Sequence, residues 1–420
     1  MAGFAGPVHH HGGHQDGLIR PVPPFLGGHG AAMRLIHTSD WHLGRSLHGE
    51  NLLEHQAAFL DWLLGQAVAH RADAVLVAGD VYDRAVPAPD AVALLSRTLE
   101  SFARARIPMI ITSGNHDSAI RLGFGSRLSE AAGIHLRTSV ADIPRPVIVA
   151  DEHGEVAMYG IPYLLPDAVM ADLGAERSHA AVLSAAVRLI REDASARGIA
   201  RTVVAAHAFV TGAQASESER DIRVGGIGDA PGRVFDGFSY VALGHLHGQQ
   251  RIPAPGSAST VRYSGSPLAF SFSEKYQAKS VTLAEIDGAG RAATTLLPAP
   301  VPRPLREVRG KIDDLLARAG GDLADLAGAW VKAVLTDTVR PASPMERLRE
   351  KWPHTLVLDF APEGGLPGCD ADLARLAEVA DPVQICGSFV EYTSGGPPDE
   401  AQQAVLREVA ETAQCAEAAA

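Results

Sequence analysis

Five short apolar runs, each ending in a polar cluster, organise this chain. Arg34-Leu35-Ile36-His37-Thr38 leads into Ser39-Asp40-Trp41-His42, and Ala74 to Ala78 leads into Gly79-Asp80-Val81-Tyr82-Asp83. Ile107 to Ser113 leads into Gly114-Asn115-His116-Asp117. Thr202 to Ala206 ends at His207, and Tyr240 to Leu243 ends in Gly244-His245-Leu246-His247. The lengths and the glycines predict buried strands closed by tight turns. In open α/β sheets, ligands gather beyond the carboxyl ends of the strands, so the five polar ends are expected to meet.

Between the strands, apolar residues recur at helical spacing. Leu52 to His70 predicts a helix whose buried face holds Leu53, Phe59, Leu60, Leu63, Leu64 and Val68. Further helices are predicted over Asp90 to Arg106 and His179 to Arg191, and two short strands flank Asp151-Glu152-His153-Gly154. Beyond Gln249 only strand-like runs remain, such as Thr260 to Ser264 and Ser280 to Ile286. The fold class expected is α/β, a two-sheet α/β sandwich, with a small α+β cap and C-terminal helices. Pro298, Pro300, Pro302 and Pro304 mark a linker. After it, Leu305 to Arg318, Trp330 to Leu335, Pro344 to Lys351 and Thr355 to Phe360 read as helix, strand, helix, strand. Pro397 to Ala413 reads as a final amphipathic helix. The expected division is a leader over 1–32, a catalytic domain over 33–297, a cap over 305–385 and a partner-binding helical segment over 386–420.

Composition narrows the function classes. At 420 residues, with 46% hydrophobic and 20% charged content, the chain reads as globular, with core enough for two or three domains. A net charge of −12 argues against binding polyanions by bulk charge. Nucleic-acid contacts must then come from local arginines or from metal ions that offset phosphate. Cys369, Cys386 and Cys415 lack metal-site spacing, and their odd number suits a reducing cytosol. No apolar run approaches the length of a membrane span. Residues 1–32, rich in Gly, Pro and His, read as an unstructured leader before a start at Met33.

Asp40, His42, Asp80, Asn115, His207, His245 and His247 offer oxygen and nitrogen donors and no thiolate. That set suits Mn²⁺, Fe²⁺, Zn²⁺ or Mg²⁺ rather than a closed structural zinc site. Seven donors exceed one ion with an open position and suit two ions sharing a carboxylate, with Asp80 the natural bridge. Such a pair would bind a phosphate oxygen and align an activated water, leaving His116 to protonate the leaving oxygen. Singly, each residue has a plainer account. A histidine ending an apolar strand is usually a hydrogen-bonded core residue, and an isolated Asp is usually a helix cap or, for Asp83, a turn former. Five such clusters in order make coincidence a poor explanation.

The order Asp-x-His, Gly-Asp-x-x-Asp, Gly-Asn-His-Asp, His and Gly-His-x-His resembles the calcineurin-like metallophosphoesterase superfamily. Ser39-Asp40-Trp41-His42-Leu43-Gly44-Arg45, Tyr263-Ser264-Gly265-Ser266-Pro267 and the run from Ser271 to Glu274 followed by Lys279-Ser280-Val281 resemble its SbcD nuclease branch. Met345 to Pro353 and Phe389-Val390-Glu391 resemble that branch's capping region and tail. The resemblance implies a manganese-dependent DNA exonuclease and endonuclease in repair and recombination. It also implies an SbcC-type ATPase partner, two copies of each chain, DNA ends and hairpins as substrates, and a cytoplasmic, nucleoid-associated location. By the same resemblance Asp40, His42, Asp80 and His247 would hold one ion, and Asp80, Asn115, His207 and His245 the other, with His116 catalytic. Arg45, Arg84, Arg121 and Arg127 fall near these motifs as candidate phosphate contacts. Two other classes fit the same residues less well: a stand-alone phosphodiesterase or phosphatase on small substrates, and a scaffold that has lost its chemistry. The cap and tail argue against the first, and the complete donor set argues against the second.

Overall fold

The computed structural model describes residues 25–26, 32–214, 219, 230–253, 256–362, 382–394 and 396–418. Two sheets stack face to face. The first has six strands in the order Ala292–Pro298, Ser280–Ile286, Met33–Thr38, Ala74–Ala78, Met109–Thr112 and Ile134–Arg137, and the last four run parallel. The second has seven strands. Gly154–Ile161, Thr202–His207, Tyr240–Gly244 and Thr260–Tyr263 form its parallel centre.

Met33, Leu35, Leu76 and Ile110 from one sheet meet Val156, Met158, Val203 and Tyr240 from the other in a shared core. The opposite faces carry helices: Leu53–Ala69 and Pro89–Ala105 on the first sheet, Pro166–Leu173 and His179–Arg197 on the second. Each central strand is therefore buried on both faces, which is why the sequence shows unbroken apolar runs rather than alternation. His37 ties the sheets together, its Nδ1 2.8 Å from the Tyr240 hydroxyl and its Nε2 donating to the Leu243 carbonyl at 3.1 Å.

The expected helices and strands of this sandwich are present, with local differences. Val68 is exposed, and Gln56 and Ala67 turn inward instead. The helix from His179 continues to Arg197, where Gly198 ends it in the left-handed conformation. Pro298 closes the edge strand instead of opening the linker, a position where its missing N–H costs no ladder bond. Phe25–Leu26, inside the expected unstructured leader, pair in parallel with Val149 and Ala150; the rest of 1–31 lies outside the described residues.

A separate parallel sheet, Leu305–Gly310, Trp330–Leu335 and Thr355–Phe360, follows the prolines. Here the expected helix over Leu305 to Arg318 is wrong in its first half. Leu305 and Val308 are buried while Arg306, Glu307 and Arg309 are exposed, and pairing with Trp330 to Leu335 overrides a helix-tolerant composition. Helices Ile312–Ala317 and Pro344–Lys351 cover this sheet, with Leu315, Leu348 and Trp352 in its core. Leu305 and Trp330 also join Leu47, Leu52, Phe270 and Phe272 of the sandwich in one apolar cluster, flanked by the Lys275–Glu307 ion pair at 2.7 Å. The C-terminal helices expected are seen, among the described residues, as Pro382–Ser394 and Glu400–Ala418.

Candidate metal centre

All five polar clusters lie at the carboxyl ends of parallel strands, three in the first sheet and two in the second. Main-chain bonds knit the ends together. Asp40 N–H donates to the Gly79 carbonyl at 3.1 Å, and His42 N–H to that of Asp80 at 2.9 Å. The Asp117 carboxylate accepts from the main-chain N–H groups of Val81, Tyr82 and Gly114 at 3.0, 2.8 and 2.9 Å, clamping the second and third clusters. The first cluster reaches the fifth through the N–H of His245, 2.9 Å from Asp40 Oδ1.

Such close approach needs bare backbone. A Cβ on Gly244 would stand 1.8 Å from the Ala78 carbonyl oxygen, and one on Gly79 (φ +81°) 2.3 Å from the His207 ring. Asp40, His42, Asp80 and His245 adopt φ of 53°, 44°, 47° and 110°. They are four of the eight non-glycine residues with positive φ among those described, a strained backbone that the surrounding bonds hold in place.

The side chains converge. Asp40, His42 and His247 bring donor atoms within 4.8 Å of one another, and so do Asp80, His207 and His245. His42 Nε2 lies 3.2 Å from His247 Nε2, and Asp80 Oδ2 is 3.5 Å from both His42 Nε2 and His207 Nε2. Asn115 Oδ1 is 2.8 Å from His207 Nε2 and 3.2 Å from His245 Nδ1. Asp80 thus sits between the two groups, as a bridging carboxylate must.

The electrostatics favour neutral imidazoles. Burial holds His42 and His245 well below the usual histidine range, helped by neighbouring imidazoles, and lowers His207 to about 4. Burial, then the Asp80 charge, pushes Asp40 up. His207 donates its Nδ1 proton to the Ala78 carbonyl at 2.9 Å, so Nε2 carries a lone pair aimed at two further acceptors, Asn115 Oδ1 and Asp80 Oδ2. Lone pairs facing one another with no proton between them call for a cation. The donor set, nitrogen and oxygen only, fits a divalent metal pair.

His116 stands at the rim, its Nδ1 2.8 Å from the Asp83 carbonyl oxygen and its ring edge-on to His42 at 4.7 Å. All seven expected donors and His116 come together in space. The arginines divide. Arg45 is largely enclosed, 3.7 Å from Asp83 Oδ1 and stacked over Phe270. Arg84 is open to solvent, Arg121 donates to the Ala85 carbonyl, and Arg127 is exposed.

Sequence reasoning missed the residues behind the donors. Glu274 Oε1 faces His247 Nδ1 at 3.4 Å and pairs with buried Lys279, whose ammonium also donates to the His247 carbonyl and Ser266 Oγ at 3.0 Å. Burial alone would raise Glu274, but the His247 hydrogen bond and the Lys279 charge outweigh it and hold it below the carboxylate range. Gln56 braces the first turn by donating to the carbonyls of Trp41 and His42 at 3.1 and 2.8 Å. A buried Glu-x₄-Lys pair and an inward Gln leave no mark on hydrophobic periodicity.

Residues 33–249 match the calcineurin-like phosphoesterase family, and residues 301–381 match the family described as type 5 capsule protein repressor C-terminal domain. The SbcD subunit of the nuclease SbcCD from Staphylococcus saprophyticus is 31% identical over 329 residues, covering 78% of this chain and 84% of that protein. Among solved structures, a dimetal phosphatase from Danio rerio is 12% identical with a TM-score of 0.40, covering 64% of this chain and 99% of its own. Calcineurin-like phosphoesterase YfkN from Bacillus subtilis is 12% identical with a TM-score of 0.37, covering 64% and 91%. By the family match over half its length and by its identity to the SbcD subunit, the chain belongs to the calcineurin-like phosphoesterases, as a metal-dependent enzyme related to SbcD.

Proposed function

We propose that the chain is a dinuclear-metal-dependent DNA nuclease, an exonuclease on duplex ends and an endonuclease on hairpins and single strands. The observation that carries this reading is the convergence of seven nitrogen and oxygen donors, with His116 beside them, in a relative of an SbcD nuclease subunit. Asp40, His42, Asp80 and His247 would hold one ion; Asp80, Asn115, His207 and His245 would hold the other; Mn²⁺ suits the set. Once bound, such ions supply Lewis acidity to a phosphodiester and acidify water. His116, its Nδ1 held by the Asp83 carbonyl, keeps Nε2 for the substrate and in its protonated form would deliver a proton to the leaving oxygen. Arg84, exposed beside Asp83, is placed to meet a phosphate, and Arg45, Arg121 and Arg127 would extend that contact.

We further assign residues 33–297 to catalysis and 305–385 to a cap. Residues 386–420, with the start of the helix Pro382–Ser394, would dock an SbcC-type ATPase, two copies of each chain assembling on DNA. Support comes from the name of the relative, one component of a complex, and from Phe389, Val405 and Val409, which are exposed on the two terminal helices. A cytoplasmic, nucleoid-associated location follows from that role. No helix among the described residues is long and apolar enough to cross a membrane.

The test is cleavage of end-labelled linear and hairpin DNA with Mn²⁺, Mg²⁺ or EDTA, with bis-p-nitrophenyl phosphate in parallel. Manganese-dependent cutting is expected. Turnover of the small diester with DNA untouched, even with the ATPase partner and ATP present, would move the chain to the small-molecule phosphodiesterases.

A further inference from the structure

We infer that the two ions are held unequally: the ion set by Asp40, His42 and His247 is the resident one, and the ion set by Asn115, His207 and His245 loads second. This rests on the dinuclear reading above and concerns the groups behind the imidazoles. A histidine that ligates through Nε2 must keep its proton on Nδ1, and the acceptor facing that proton sets the basicity of the ring. Behind the first set both acceptors are carboxylates. Asp83 Oδ1 lies 3.6 Å from His42 Nδ1, an atom that is buried and makes no hydrogen bond, and Glu274 Oε1 lies 3.4 Å from His247 Nδ1.

In the second set the partner behind His207 is neutral: its Nδ1 meets the Ala78 carbonyl at 2.9 Å, while His245 turns Nδ1 into the site itself, beside the Asn115 Oδ1 donor at 3.2 Å. The donor charges run the same way. Beyond the shared Asp80, the first set adds the carboxylate of Asp40, whereas the second adds only neutral groups. Both differences strengthen one site over the other, so metal concentration would govern activity through occupancy of the weaker site. The Asp83 side chain, read from sequence as a turn former, then orients a metal ligand.

The experiment is a Mn²⁺ titration of the chelator-stripped full-length chain by calorimetry and by electron paramagnetic resonance of free Mn²⁺. Two ions per chain are expected, with dissociation constants at least about tenfold apart. Asp83→Asn and Glu274→Gln should each weaken the tighter class by about 10–100-fold and leave the looser one unchanged. Asn115→Ala should remove only the looser class. Should Glu274→Gln unfold by leaving Lys279 unpaired, Asp83→Asn, at the rim, still decides. Two equal ions in the native chain, or Asp83→Asn weakening the looser class, would overturn the inference and leave the dinuclear reading standing. A single ion at saturation would sink both.

Discussion

His116 takes its orientation from the main chain of Asp83: its Nδ1 lies 2.8 Å from the Asp83 carbonyl oxygen. A backbone acceptor cannot rotate away, and Asp83 is itself fixed by its N–H donating to Leu43 at 3.3 Å. The ring therefore stays aimed whatever the side chain at 83 does.

If His116 serves proton transfer and not ligation, as proposed, replacing it by Ala is expected to lower the turnover of DNA by about 10²–10⁴-fold while leaving Mn²⁺ stoichiometry unchanged. Single-turnover cleavage beside a metal titration checks it. Near-native turnover would remove His116 from the chemistry.

Gly244→Ala tests the close approach of the two sheets. The added methyl would meet the Ala78 carbonyl oxygen at 1.8 Å and Ser39 Cβ at 2.8 Å, and a backbone oxygen inside a sheet has nowhere to go. A loss of stability at the upper end of about 1–3 kcal/mol is expected in urea unfolding, together with weakened metal binding. An unchanged midpoint would mean that the strands separate more easily than their packing implies.

The strands and the donors were readable because the parallel sheets bury both faces and every donor ends an apolar run. The strand Leu305–Gly310 was not, since only Leu305 and Val308 turn inward and the rest of it is as polar as a surface helix. Glu274 and Lys279 stood inside recognised runs, yet their role came only from tertiary contact with His247. Asp117 lay in the central tetrapeptide, and nothing in its spacing announced three main-chain donors from two different loops.

Acid should destabilise the fold through His37. Burial lowers it to about 3, so between pH 6.5 and 3 the unfolded chain binds a proton that the folded chain does not. Stability from this group is complete above pH 6.5 and falls by about 1.4 kcal/mol per pH unit below it. Thermal melts of His37→Gln over pH 4–7 should show a shallower decline than the native chain. Parallel declines would place the acid sensitivity elsewhere.

Trp330 joins the three-stranded sheet to the metal centre. It packs in the cluster containing Phe270, whose ring lies 5.3 Å from that of His42 and 5.4 Å from that of His247. Trp330→Ala is expected to cost about 3–5 kcal/mol and also to raise the Mn²⁺ concentration needed for cleavage. Trp352→Ala, in the sheet's own core, should cost a similar amount without the metal effect. An identical metal requirement in both variants would uncouple Phe270 from the site.

The bond from His245 to Asp40 spans 205 positions of sequence, and the approach of His207 to Asn115 spans 92. Nearly every pair of donors is contributed by a different, distant segment, so the pocket has high contact order and cannot be complete before both sheets are assembled. A nascent or proteolysed fragment lacking the strand after Tyr240 holds at most part of the donor set, and hydrolytic power arrives only with the finished sandwich. Metal, once bound, adds its binding free energy to global stability, about 2.7 kcal/mol at a hundredfold excess over its dissociation constant. Occupancy thereby certifies a finished sandwich before it can cut.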